Sequence, residues 1–148
     1  MPTTTGVVFQ SGATRSGTKG VAVLAGRVLF ALIFVLSGLT HFSQQTIALA
    51  ASQGVPLASF AVPFSGIIAM LGGLCILLGY HTEFGAWLIV LFLVPVTFMM
   101  HKFWGISDAA AAQDQMAHFM KNLSLLGGAL LISQFGAGPL SLDSRNPL

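Results

Sequence analysis

The 148-residue chain is 55% hydrophobic and 7% charged, with six Lys and Arg against four Asp and Glu and a net charge of +2. Soluble domains carry about a quarter charged residues, so these figures and a mean hydropathy of +0.86 exclude an ordinary soluble domain and describe an integral membrane protein. The sequence pI of about 9.1 comes from a few basic residues, which in such a protein orient the chain rather than bind nucleic acid.

Residues 1–20, MPTTTGVVFQSGATRSGTKG, are rich in Thr, Gly and Ser, lack an apolar run long enough for a cleaved signal peptide and read as a loose N-terminal tail. The first span is expected over residues 21–40, long enough at about 1.5 Å per residue to cross roughly 30 Å of hydrocarbon. Arg27 interrupts its first third, and Ser37, Gly38 and His41 mark its far end. Residues 43–60 are too polar and broken to span, although Thr46 to Ala51 can lie as a short interfacial helix.

The second span is expected over residues 61–79, with Pro63 in its first turn. Gly66, Ala69, Gly72 and Gly73 supply small-residue spacing that lets helices approach closely, within the bundle or between subunits. The short turn Tyr80, His81, Thr82, Glu83 makes the second and third spans antiparallel neighbours. The third covers residues 84–100, and Pro95 is expected to bend it and free the carbonyl of Leu91. The fourth covers residues 119–135, extended towards the preceding loop by Ala109 to Ala117 with Ser107 or Asp108 as N-cap. Gly136, Gly138 and Pro139 end it, leaving residues 139–148 as a C-terminal tail.

The expected fold is therefore all-α, a four-transmembrane-helix bundle over residues 21–138, without internal repeat or soluble domain. Four spans put both termini on one side of the bilayer. Arg15, Lys19, Arg27 and Arg145 lie on that side and Lys102 and Lys121 on the other, so the positive-inside rule places the termini in the cytoplasm.

Polar residues gather around the loop between the third and fourth spans. His118, Lys121, Asn122 and Leu125 follow i, i+3, i+4, i+7 spacing and share a helical face, which Asp114 and Gln115 continue; Thr97 and His101 share a face of the third span. With Lys102 and a roof from Trp104, these faces would enclose a polar pocket above an apolar floor. A quinone suits such a pocket, because its carbonyl oxygens need donors and its protons a group titrating near neutrality. The competing reading leaves Lys102 and Lys121 snorkelling, Trp104 anchored at the interface and the histidines bonded to loop carbonyls. His41, His101 and His118 with Asp108 or Asp114 lack the short spacings of a metal site, and a haem between facing histidines is no better supported. Cys75 is the single cysteine and lies in an apolar run, which excludes an internal disulfide. At the other end, Arg27 needs a partner, and Asp143 is expected to pair with it, ahead of Glu83.

The stretches GRVLFALIFVLSGLTHF, MLGGLCILLGYHTEFGAW, HKFW, HFMKNLSLLGGALLI and GAGPLSLD, in that order, resemble the DoxX family of small four-helix membrane proteins from Gly26 to Asp143. The resemblance implies a bundle in a bacterial-type inner (plasma) membrane and, through a branch similar to the small subunit of a thiosulfate:quinone oxidoreductase, a link to redox assemblies. The resulting expectation is a membrane subunit or accessory of a quinone-linked redox complex. Its binding residues would be His101, Lys102, Trp104, His118, Lys121 and Asn122, and its partners the lipid bilayer with further copies or other redox subunits. The alternatives are a non-catalytic scaffold or assembly protein acting through helix packing and homo-oligomerisation, and a small transporter.

Overall fold

The fold is that of a computed structural model, which describes residues 12–145, with side chains from residue 17 onwards. The first eleven residues of the expected N-terminal tail and the last three of the C-terminal tail lie outside the described residues. The regular elements of the described chain are all α-helices, in the order α1 (Gly12–Thr40), α2 (Gln44–Ser52), α3 (Ala58–Leu78), α4 (Thr82–Met100) and α5 (Ala109–Phe135).

Among the described residues three stretches are long and apolar enough to cross a membrane: Gly17–Thr40 of α1, α3 and α4. The expected fourth span, residues 119–135, lies in α5, which does not qualify by composition. At 27 residues α5 is about 40 Å long, but Asp114, Gln115, His118, Lys121 and Asn122 make its first half too polar to qualify. Two helix starts also differ from expectation. Helix α1 begins at Gly12, so residues 12–20 are helix rather than loose tail, and α3 begins at Ala58, which puts Pro63 past the first turn. Leu29, Leu71, Trp87, Leu91 and Leu131 are each more than half exposed, the surface that a hydrocarbon solvent accommodates.

Local chemistry explains most helix ends. Ser43 caps α2, its Oγ accepting from the Thr46 N–H at 3.2 Å, and the Asp108 carboxylate caps α5 by accepting from the Ala111 N–H at 2.8 Å. Helix α3 stops at Gly79 in the left-handed region, φ 64°, where the Tyr80 N–H bonds back to the Cys75 carbonyl at 2.9 Å. A side chain at Gly79 would meet the Arg27 guanidinium and Ser141, so backbone conformation and crowding both require glycine. The start of α4 is different: His81 is left-handed, φ 47°, and supplies no side-chain cap of its own.

In space α1 packs on α3, α3 on α4 and α4 on α5, with α2 lying against α3. Ala31, Phe34, Ala69, Ile76, Ile89 and Leu93 belong to the buried centre. Small residues set the close approaches. A Cβ on Gly72 would lie 2.8 Å from the Gly85 carbonyl and one on Gly85 3.0 Å from the Gly72 carbonyl, so α3 and α4 touch backbone to backbone. The small-residue spacing of α3 is thus used within the chain. Helices α1 and α5 meet through side chains instead: the Phe30 ring lies over Gly128. That wider separation leaves room between them at the His41 end.

The tail after α5 closes the opposite end. Its backbone pairs with the end of α3, the Asp143 N–H donating to the Gly79 carbonyl at 2.7 Å, and Ser141 is buried there. Pro95 leaves α4 as one continuous helix and lies in the wall of a cavity beneath α2.

Candidate functional site

At the His41 end, a cavity of about 250 Å³ opens between α1, α4 and α5. Phe34, Phe92 and Leu93 form its apolar part, and Ser37, His41, His101, Lys121 and Asn122 bring polar groups to it. Asn122 faces it because α5 carries Lys121, Asn122 and Leu125 on one face. The Asn122 side chain is 6% exposed and has no hydrogen-bond partner among the described residues. The fully buried side-chain nitrogen or oxygen without a partner among the described residues is Arg27 Nε; the Asn122 carboxamide instead meets the open volume of the cavity with its hydrogen-bonding groups unused by the protein.

The histidines around Asn122 have defined roles. His41 is held by its own helix, Nδ1 donating to the Ser37 carbonyl at 2.8 Å, and its ring stands edge-on to Phe92 at 5.6 Å. His101 sits just past α4, with Nδ1 3.0 Å from Gln115 Oε1; that bond leaves Nε2 of the neutral ring as an acceptor. Its ring stacks on His118 at 5.2 Å. Burial pushes the His101 pKa down; the neighbouring His118 and Lys121 push the same way, against the Gln115 bond and Asp114. The Lys121 ammonium donates to His118 Nδ1 at 3.2 Å, which puts the imidazole proton on Nε2, 3.8 Å from Asp114. A chain of polar groups thus runs from exposed Asp114 through His118 to Lys121 and His101 at the cavity.

The residues expected at this site divide. His101, Lys121 and Asn122 line the cavity, whereas His118 stands behind His101 without lining it. Lys102 is exposed and Trp104 roofs nothing. The Trp104 ring lies edge-to-face with Phe103 at 5.3 Å and Phe119 at 5.9 Å, a surface aromatic group beside the cavity. Thr97 turns inward, its hydroxyl donating to the Leu93 carbonyl at 2.6 Å. Nothing in the sequence assigns Ser37 or the floor residues Phe34 and Phe92 to this cavity, because helix packing alone brings α1 to α4 and α5. Among the described residues no three or more His, Cys, Asp or Glu side chains gather as a metal site.

At the tail end, the expected ion pair between Arg27 and Asp143 is replaced by two separate clamps. The Arg27 side chain, 5% exposed, donates through Nη1 to the Ala137 carbonyl at 2.9 Å and through Nη2 to the Leu140 carbonyl at 2.8 Å; its Nε has no partner. Asp143 instead accepts from the N–H groups of His81 and Thr82 and from the Thr82 hydroxyl. Backbone groups of the tail and of α4 outcompete the opposite charge because they lie where these side chains reach. Glu83, the second choice, makes no ion pair among the described residues.

The family model described as the SURF4 family matches residues 6–147. The chain is 26% identical over 147 residues to the ER-derived vesicles protein ERV29 of Saccharomyces cerevisiae, covering 99% of this chain and 40% of that protein. It is 29% identical over 139 residues to the inner membrane protein YphA of Escherichia coli, covering 93% and 96% of the two chains. To the inner membrane protein YqjF of Escherichia coli it is 32% identical over 130 residues, covering 84% and 92%. No solved structure matches. These findings overturn the DoxX assignment and the reading that rested on it, a quinone-linked oxidoreductase subunit or, alternatively, an assembly scaffold. The stretches behind it combine apolar helix, small residues and polar helix ends, a pattern that reports membrane helix packing and carries no redox chemistry. With the family model matched along nearly its whole length, the chain belongs to the SURF4 family.

Proposed function

We propose that the protein is a membrane-embedded binding protein that holds a small molecule in the cavity between α1, α4 and α5. The observation that carries this reading is Asn122, more than nine-tenths buried, without a hydrogen-bond partner and facing open volume. Its carboxamide donors and acceptor are unused by the protein and open to the cavity, which leaves them available to a ligand. Lys121 and His101 stand at the same wall, so donors and an acceptor converge above an apolar floor.

In this reading α5 is a fourth span, packed on α4 and antiparallel to it, with its polar face turned to the cavity rather than to lipid. The bilayer is a bacterial-type inner membrane, as the names of the two Escherichia coli relatives suggest, and both termini face the cytoplasm. The vesicle association in the name of the yeast relative is carried over only as residence in a membrane, since this chain spans 40% of that protein.

The test is a native mass spectrum of the protein released from its own membrane in a mild detergent. A bound small molecule, lost in Asn122→Leu and kept in the surface variant Lys102→Ala, is expected. An adduct-free protein, or an adduct unaffected by Asn122→Leu, would remove the cavity from the function.

A further inference from the structure

We propose that the ligand of this cavity is a single-chain amphipathic anion, a long-chain carboxylate, with its head on Lys121 and Asn122 and its chain passing His41 into a second cavity beneath α2. The proposal rests on the binding reading above and names its ligand.

Charge supplies the first reason. The cavity wall includes the Lys121 ammonium and no Asp or Glu. The nearby carboxylate of Asp114 is directed at His118, and Lys121 has no carboxylate within ion-pair distance among the described residues. Its ammonium bonds only to His118 Nδ1, so two of its N–H donors are free, and the Asn122 amide adds two more. A wall with surplus donors and uncompensated positive charge is complementary to a carboxylate, whose two oxygens accept charge-assisted bonds.

Shape supplies the second. A cavity of about 230 Å³ lies under α2, walled by Ala50, Val55, Ala61, Val62, Pro95 and Met99 and nearly without polar surface. The two cavities share His41, Val96 and Met100 in their walls. They are therefore separated by one imidazole and two aliphatic side chains, one of them a flexible methionine. A polar compartment next to one apolar compartment, across a wall that includes the flexible Met100, fits one head and one chain. A two-chain phospholipid has a second chain that this arrangement leaves outside.

The test is titration of the purified protein in a nonionic detergent with palmitate, hexadecanol, octanoate and phosphatidylglycerol, read by native mass spectrometry. Palmitate is expected to bind at least about tenfold more tightly than hexadecanol, and Lys121→Met to weaken palmitate by about tenfold while leaving hexadecanol unchanged. Lys121→Arg restores palmitate binding. Ala61→Phe, which fills the second cavity, is expected to abolish the preference for palmitate over octanoate while octanoate still binds. Equal binding of palmitate and hexadecanol, both lost in Asn122→Leu, would overturn the anionic head and leave the binding reading intact. Displacement of palmitate by phosphatidylglycerol would overturn the single chain. No binding of any of the four to a protein that carries another adduct sensitive to Asn122→Leu would overturn the ligand class alone. No adduct of any kind would remove the binding reading with it.

Discussion

Oδ2 of Asp143 accepts two hydrogen bonds from Thr82, one from its backbone N–H at 3.1 Å and one from its hydroxyl at 2.8 Å. With Oδ1 accepting from the His81 N–H at 2.8 Å, a residue 61 positions downstream of Thr82 caps α4, whose own N-cap residue offers no side chain. The cap also sets a negative charge at the positive end of the helix dipole, and it holds His81 in the left-handed conformation that a non-glycine residue otherwise resists.

Asp143→Ala is therefore expected to lower stability by about 1–2 kcal/mol, the usual cost of a lost N-cap, and to loosen the tail. Burial raises the Asp143 pKa, but the hydrogen bonds from Thr82 and His81 outweigh it and hold the carboxyl below its ordinary value. Because the folded-state pKa is the lower one, this stabilisation is complete above about pH 4. It is lost as pH falls through the folded value. Melting of wild type and Asp143→Ala in detergent should differ at pH 7 and converge in acid; a constant difference would separate the loss from the carboxylate.

Arg27→Met should destabilise the tail end by about 2–3 kcal/mol, since the carbonyls of Ala137 and Leu140 both lose their donor. Arg27→Lys should recover only part of this, because one ammonium lacks the planar fork that reaches two carbonyls. Hydrogen exchange of residues 136–145 reports the effect locally. Protection equal to wild type in Arg27→Met would show that the tail is held by Asp143 alone.

Helices α3 and α4 cross at Gly72 and Gly85, where neither position has room for a Cβ. Gly72→Val should cost more than about 3 kcal/mol through overpacking at a backbone contact. Gly127 has nothing within 4 Å of a built Cβ, and Gly127→Ala should stabilise α5 by about 0.4–1 kcal/mol. Thermal melts of the two variants should move in opposite directions. A tolerated Gly72→Val would mean that α3 and α4 are not packed this closely.

What the sequence revealed follows the range of the signals used. Periodicity located the apolar helices and the face carrying Lys121 and Asn122, because neighbours at i+1 and i+3 or i+4 are fixed by the helix itself. It did not reveal that Ser37 and His41 complete the same cavity, since that depends on how far α1 stands from α5. Arg27 and Asp143 were legible as charges needing partners at one end of the bundle. Their true partners, carbonyls and N–H groups, are present in every residue and leave no mark in a sequence. Trp104 was drawn into the site by its type and nearness to His101, but the loop turns it onto Phe103 and Phe119.

The proposed four-span topology predicts labelling by side. In a Cys75→Ala background, single cysteines introduced as Gln53→Cys and Ser107→Cys should react with a membrane-impermeant maleimide added outside intact cells. Tyr80→Cys and Arg145→Cys should react only after permeabilisation. Reaction of the first pair and Arg145→Cys from outside, with Tyr80→Cys protected, would place α5 on the membrane surface and leave three spans.

Protonation of His101 should weaken the His41 end of the bundle. Burial holds its pKa below the ordinary histidine value, with His118 and Lys121 of α5 acting in the same direction and Gln115 and Asp114 opposing them; His41 of α1 faces the same cavity. Since the unfolded state takes up the proton first, the stability His101 contributes is complete above about pH 6.5 and declines as pH falls through the folded-state value. The slope for one proton is at most about 1.4 kcal/mol per pH unit. Melting temperature between pH 8 and 5 should therefore fall in wild type and fall less in His101→Gln, which cannot take up the proton. An anionic ligand in the cavity should oppose the decline, because its charge favours the imidazolium. Equal slopes in wild type and His101→Gln would assign the pH dependence to other groups and leave His101 a packing residue.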